Sequence, residues 1–308
     1  MPQGPEAIRP RLSCEWLHAC SGCEIALLNL GERLLPLLDQ VELVHFPLVM
    51  HNKQIAAGEG GGIRLPEADI GLVSGAVAHD EHLEVLRAMR RSCRFLIALG
   101  TCASHGGIPA MMNQWPMAEG MRAVFDPGDG AAAGMPAFLD RVYSLDEQVR
   151  VDLALPGCPP APGLIGQVIE ALAKKEELRL PHKSVCEHCP TVREGRVAAK
   201  SVRRFLANAD YDPAQPVDRM RCLLEQGLLC LGPVTAGGCG GRGTPLCLRA
   251  RVSCRGCYGP VRAGGNQLLD MMNGLAGKGL DHRGIVDRKS LLRFSGAHGL
   301  LRPARKGR

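Results

Sequence analysis

The chain has 308 residues, enough for two domains of which at least one can bury a substantial core. Its net charge of +6 is unevenly divided: residues 1–180 carry 15 Lys and Arg against 22 Asp and Glu, and residues 181–308 carry 22 against 9. No run of about eighteen apolar residues occurs, so no membrane-spanning helix is expected, and the basic half has only Phe205, Tyr211, Tyr258 and Phe294 as aromatics, too scattered to stack nucleic-acid bases.

The opening residues, Met1 to Arg11, have neither the apolar core of a secretory signal nor a twin-arginine pair, so a cytoplasmic location is expected. Arg11–His18 reads as a short strand ending at Cys20, and Glu24–Leu38 carries apolar residues at helical spacing (Ile25, Leu28, Leu34, Leu35, Leu38). Val41–Phe46 and Asp69–Ser74 read as strands. Asp80 is placed to cap a helix running to Arg91, and Arg94–Leu99 is a nearly continuous apolar strand, as in a sheet buried on both faces. Residues 107–150 read as loops and short helices inserted between strands. Asp152–Leu155 is a further strand, followed by a helix over Gly163–Lys175. Strands alternating with helices predict a parallel α/β sheet with right-handed crossovers, making residues 1–180 one domain. Beyond Pro181 periodicity weakens, apart from helices predicted over Val197–Ala207 and Gln267–Leu275. Residues 181–308 are therefore expected to be an irregular second domain that takes much of its folding energy from bound metal.

The fourteen cysteines are the strongest chemical signal. Cys20, Cys23, Cys102 and Cys158 each follow a predicted strand, and ligands of open α/β sheets bind beyond the carboxyl ends of strands. Thiols on three separate loops can thus converge on one centre. Eight more, Cys186, Cys189, Cys222, Cys230, Cys239, Cys247, Cys254 and Cys257, crowd into the second half. Thiolates are soft ligands, and four around one centre suit an iron–sulfur cubane or zinc. A disulfide framework is disfavoured by a reducing compartment, and a thioredoxin-type CxxC needs no distant partner cysteines. Cys14 and Cys93 are left over and read as buried, inert thiols.

Cys20-Ser-Gly-Cys23-Glu24, Gly100-Thr-Cys-Ala-Ser-His-Gly-Gly107 and Leu155-Pro-Gly-Cys-Pro-Pro160, taken together, resemble the small subunit of [NiFe] hydrogenases. So do Cys186-Glu-His-Cys-Pro190, Arg221-Cys-Leu-Leu-Glu-Gln-Gly-Leu-Leu-Cys230 and Cys254-Arg-Gly-Cys-Tyr-Gly-Pro260, and the likeness runs over roughly residues 12–300. Within that family the chain is most similar to the cytoplasmic group, and there to the F420-non-reducing (methyl-viologen-reducing) form.

The resemblance implies a flavodoxin-like parallel-sheet domain followed by an irregular cluster-binding domain, and three [4Fe–4S] clusters. Cys20, Cys23, Cys102 and Cys158 would hold the proximal cluster; Cys186, Cys189, Cys222 and Cys230 the distal; Cys239, Cys247, Cys254 and Cys257 the medial. The chain would carry no catalytic residue of its own. A separate large subunit would hold the Ni–Fe site, and an iron–sulfur or flavin subunit would accept the electrons. Membrane-bound and periplasmic relatives place a histidine at the position of Cys186 and often a proline at that of Cys247. Thiolates at both imply three cubanes of low potential, because thiolate donates more charge than imidazole. Glu24 is expected at the large-subunit interface, with a part in proton movement. His18, His105 and His188 lie near ligand cysteines and are candidates for tuning them through hydrogen bonds. An iron–sulfur subunit of a non-hydrogenase oxidoreductase is the alternative. The basic tail Arg302–Arg308 is expected to lack order.

Overall fold

A computed structural model describes residues 9–50, 55–56, 62–125, 136–178, 180–195, 201–204, 212, 214–241, 243–262, 265–280, 282–286, 291 and 293–294. Strands along the described chain are β1 (Arg11–Trp16), β2 (Glu42–His45), β3 (Ile55–Ala56), β4 (Ile63–Arg64), β5 (Ala68–Ser74), β6 (Val77–His79), β7 (Cys93–Leu99), β8 (Phe138–Tyr143) and β9 (Leu153–Leu155). Helices are α1 (Gly22–Leu28), α2 (Leu34–Leu38), α3 (Asp80–Ser92), α4 (Gly100–His105), α5 (Met117–Phe125), α6 (Pro162–Lys174), α7 (Leu246–Arg249) and α8 (Gln267–Ala276).

The main sheet has five strands in the order β2-β1-β5-β7-β9, all neighbours parallel. Counted along the chain, those strands lie 2-1-3-4-5, the flavodoxin-like order. Alternate residues feed two cores. Leu12, Ile70, Leu72, Ile97 and Leu99 pack beneath α1, α2 and α6 through Leu27, Leu37, Ile165 and Ile169. Val73, Leu96 and Ala98 face the other way, against Leu86 and Met89 of α3 and Ala103 of α4. Burial on both faces is why these strands are almost continuously apolar.

Register decides where the first four cysteines go. Trp16 pairs with Ser74, Ser74 with Leu99, and Leu99 with Leu155, so four carboxyl ends lie in one row. Cys20, Cys102 and Cys158 follow that row within three or four residues on three different loops.

Several sequence expectations need correction. The single helix predicted over Glu24–Leu38 is broken: α1 stops at Leu28, a 3-10 turn spans Gly31–Arg33, and α2 begins at Leu34. Gly31 adopts φ +60°, a left-handed conformation that ends a helix. Asp80 begins α3 but is not its cap; His79 is, accepting the His82 N–H on its ring. Residues 107–150 contain a strand, β8, which pairs antiparallel with β6. Of the helix predicted over Val197–Ala207, only residues 201–204 are described, and they are not helical: Val202 and Arg203 form isolated β-bridges, the Val202 N–H donating to Gly284 and the Arg203 N–H to Gly227. The second half also has an apolar core of its own, in which Leu268, Met271 and Leu275 of α8 meet Val185, Leu229, Leu231 and Ile285. Helix α8 itself matches its predicted place, capped by Asn266, whose Oδ1 accepts from the N–H groups of Leu268 and Leu269. The basic tail lies outside the described residues.

Candidate metal centre

The first quartet gathers at the row of strand ends. Burial, then Glu24, Cys102, Cys158 and Cys20, push the Cys23 thiol far up. Burial, with Cys158 and Cys20 adding to it, holds Cys102 at about 12, against a hydrogen bond from the Ile108 N–H. Small residues make the room: a Cβ on Gly100 would sit 2.3 Å from the Cys23 sulfur, and one on Gly107 2.8 Å from that of Cys102.

Cys186, Cys189, Cys222 and Cys230 line one small cavity with Val185, Thr191, Arg193 and Gly232. Cys186 is pushed up to about 11 by burial, then by Cys189 and Cys222. Cys230 is pushed up to about 12 by burial, while the N–H groups of Gly232 and Cys254 donate to its sulfur and oppose the rise. A Cβ on Gly232 would lie 3.4 Å from the Cys186 sulfur and 3.6 Å from that of Cys230.

Cys239, Cys247 and Cys257 line a larger cavity, about 680 Å³, shared with Cys158, the start of α6 and Tyr258. Cys254 lies deeper, near Cys230, Cys247 and Cys257, its pKa raised foremost by burial. This third quartet touches both others. On one side the Cys158 N–H donates to the Cys257 sulfur. On the other the Cys254 N–H donates to the Cys230 sulfur at 3.3 Å. In space the order is therefore first, third, second, although along the chain it is first, second, third.

Among the described residues no three His, Cys, Asp or Glu side chains are grouped closely enough to share a single metal ion. The thiols of the second and third quartets instead line cavities, and around all three sets backbone N–H groups are aimed at sulfur. Sets of soft thiolates in such cradles fit iron–sulfur clusters, whose potentials respond to hydrogen bonds on sulfur.

Residues that sequence reasoning passed over hold the third quartet in place, two of them against the sheet domain. Thr101 donates its hydroxyl to the Cys257 carbonyl and accepts the Gly157 N–H at 2.9 Å. The Tyr258 hydroxyl accepts the Ala161 N–H at 2.7 Å. Buried Gln267 reaches Thr235 Oγ1 at 2.9 Å and the carbonyls of Gly256 and Gly259 at 3.1 Å. Thr101 was readable as part of the Gly-Thr-Cys step; nothing in the sequence marked Gln267. The three histidines are diverse. His105 packs where a Cβ on Gly259 would come within 2.3 Å of its Nε2, and His188 packs beside Gly237. His18 faces His82, ring centroids 5.8 Å apart. Glu24 is buried, its pKa raised by desolvation despite the nearby Ser74 hydroxyl, and its Oε2 has no partner among the described residues.

Residues 20–172 match the family described as NADH ubiquinone oxidoreductase, 20 Kd subunit. That stretch contains the first quartet and ends before Cys186. An F420-non-reducing hydrogenase subunit of Methanocaldococcus jannaschii is 34% identical over 284 residues, 90% of this chain and 91% of the relative. This chain belongs to the hydrogenase small-subunit family, in its F420-non-reducing branch. The corresponding F420-non-reducing hydrogenase subunit of Methanothermobacter marburgensis is 31% identical over 86% of this chain and 83% of its own. The fold of this hydrogenase small subunit also resembles that of the actinobacterial-type NiFe-hydrogenase from Ralstonia eutropha H16, with a TM-score of 0.50 at 16% identity, over 83% of this chain and 80% of that one. As a member of the family it is a subunit of an oxidoreductase complex. No helix among the described residues is long and apolar enough to cross a membrane.

Proposed function

We propose that this hydrogenase small subunit relays electrons between a Ni–Fe site on a partner large subunit and an acceptor subunit, an iron–sulfur or flavin protein, in the cytoplasm. The relay uses three [4Fe–4S] clusters: one on Cys20, Cys23, Cys102 and Cys158, one on Cys239, Cys247, Cys254 and Cys257, and one on Cys186, Cys189, Cys222 and Cys230. The chain divides into a flavodoxin-like domain, residues 1–180, and a cluster-binding domain, residues 181–308. The observation that carries the reading is the contact series of the quartets, linked through Cys158–Cys257 and Cys254–Cys230. Each cluster, when bound, supplies a one-electron store. The protein's own part is to hold twelve thiolates in three closely spaced sets, to direct N–H groups at their sulfurs, and to keep water away from the innermost thiols.

Burial of the thiols gives the sites a chemical bias. With pKa values of about 11 and 12 at Cys186, Cys230 and Cys257, these cysteines are protonated at neutral pH without metal, so cluster assembly must release protons. Anaerobic purification with iron and acid-labile sulfide assay tests the reading. About twelve irons and as many sulfides per chain are expected of three four-iron clusters. Stoichiometric zinc without sulfide would overturn it.

The non-hydrogenase alternative draws on the family match over residues 20–172, whose description names an NADH ubiquinone oxidoreductase. Nickel separates the two. A co-purifying large subunit that contains nickel supports the hydrogenase relay, and a nickel-free partner with the same iron content supports the alternative.

A further inference from the structure

Three arginines meet in one small cavity at the seam between the second and third quartets. It is lined by Arg204, Arg255 and Arg293 together with Leu229, Leu231 and Cys254. The backbone accounts for the placement. The Leu231 N–H donates to the Cys254 carbonyl at 3.0 Å and the Cys254 N–H to the Cys230 sulfur at 3.3 Å. Arg255 therefore leaves the chain where the two quartets touch. Arg204 is carried in by the segment whose Arg203 carbonyl accepts from the Leu229 N–H.

Grouping guanidinium ions in a partly buried space is unfavourable by itself, because desolvation and like-charge repulsion both oppose it. Burial and Arg204 weigh most against the Arg255 cation, and Arg293 adds to them. Cys247 of the third quartet and Cys230 of the second are among the groups close enough to favour it.

We infer that Arg255, reinforced by Arg204 and Arg293, is a fixed positive charge shared by the second and third quartets that stabilises the reduced state of the clusters they hold. The inference rests on the proposal that both quartets hold clusters. Reduction adds one electron to a site that is already negative, so a nearby cation favours the reduced form and raises its potential. Arginine suits the task because it keeps its charge when partly buried. The consequence is a downhill gradient. Electrons entering at the first quartet move toward sites held at higher potential by Arg255.

The test is an EPR-monitored redox titration of the anaerobically purified hydrogenase complex carrying Arg255→Gln. At a fixed potential the reduced-to-oxidised ratio of the second and third clusters is expected to fall about tenfold, a downward shift of about 59 mV for a one-electron couple. The first cluster should not move, and Arg255→Lys should hold the wild-type potentials. Unchanged potentials in an Arg255→Gln complex with full iron and sulfide would overturn the inference. So would an Arg255→Lys complex shifted as far as the glutamine variant, since charge would then be irrelevant. If Arg255→Gln loses iron, Arg293→Gln and Arg204→Gln take its place, each with a smaller downward shift expected and none being the refuting result. A wild-type chain without iron–sulfur signals would instead bring down the cluster proposal beneath it.

Discussion

Single residues around the first quartet leave no room for change, and Gly100 is the tightest. Its φ of +84° is one that side chains rarely adopt, and a Cβ there would press to 2.3 Å from the Cys23 sulfur and 3.4 Å from the Gly157 carbonyl. Gly241 has a similar backbone, φ +62°, but nothing within 4 Å of an added Cβ. The pair separates backbone strain, about 1–2 kcal/mol for a left-handed residue, from intrusion into the thiol cradle. Gly100→Ala should lose the first cluster, about four irons per chain, and Gly241→Ala should keep full iron content while giving up only the backbone strain in a urea titration. Equal iron in both purified variants would mean that Cys23 is not a ligand. The two surplus thiols behave differently. Cys14 and Cys93 are both buried, in cores on opposite faces of the sheet. Cys93 is pushed up to about 11 by burial and packs tightly over Gly71, which fits the reading of inert thiols.

At the scale of elements, the five strands of the main sheet and α3, α6 and α8 were legible because periodicity and apolar runs report burial directly. The failures have local causes. A left-handed glycine inside an otherwise helical pattern broke Glu24–Leu38, a backbone state that spacing alone does not specify. Strand β8 was missed because its partner, β6, is only three residues long and lies sixty residues upstream. The non-helical course of residues 201–204 depends on acceptors at Gly227 and Gly284, which no local pattern encodes. Asp152 is a junction of the kind that only the fold reveals. Its Oδ2 accepts from Arg90 at 2.6 Å and from the Leu96 N–H at 2.9 Å, tying α3, β7 and the start of β9 together. Burial acts to raise its pKa, but hydrogen bonds from Arg90 and Leu96 and the charges of Arg90 and Arg150 prevail, so the net shift is downward. A carboxylate with a depressed folded-state pKa contributes stability above its unfolded value of about 3.9 and loses it as pH falls through the folded one. Asp152→Ala should therefore destabilise the protein by about 1–3 kcal/mol at pH 7, the cost of leaving a buried N–H and a guanidinium without their acceptor. The gap between variant and wild-type urea midpoints should close as pH falls below about 4. A gap that persists there would assign the loss to packing instead.

At the scale of the whole molecule, the gathering of Cys20, Cys23, Cys102 and Cys158 at one sheet edge was readable because three of their loops follow strands of one parallel sheet. The spatial order of the three quartets was not. It is fixed by Thr101 and Tyr258, which bring the last cysteines of the chain back against the sheet domain, while Gln267 holds the loop that carries them. Placing the third quartet between the others makes it the obligatory intermediate if electrons travel by tunnelling, whose rate falls steeply with distance. Paired substitutions test this, because removing two thiolates dismantles a cluster where removing one can leave a smaller one in place. With Cys254→Ser and Cys257→Ser combined, H₂ given to the complex should still reduce the first cluster rapidly, while the cluster on Cys186, Cys189, Cys222 and Cys230 stays oxidised on the timescale of freeze-quench EPR. With Cys186→Ser and Cys189→Ser combined, the first and third clusters should both be reduced, and only delivery to the acceptor subunit should fail. If electrons instead followed the order of the chain, the two variants would exchange phenotypes: the Cys186/Cys189 pair would isolate the third cluster, and the Cys254/Cys257 pair would leave the second one reducible.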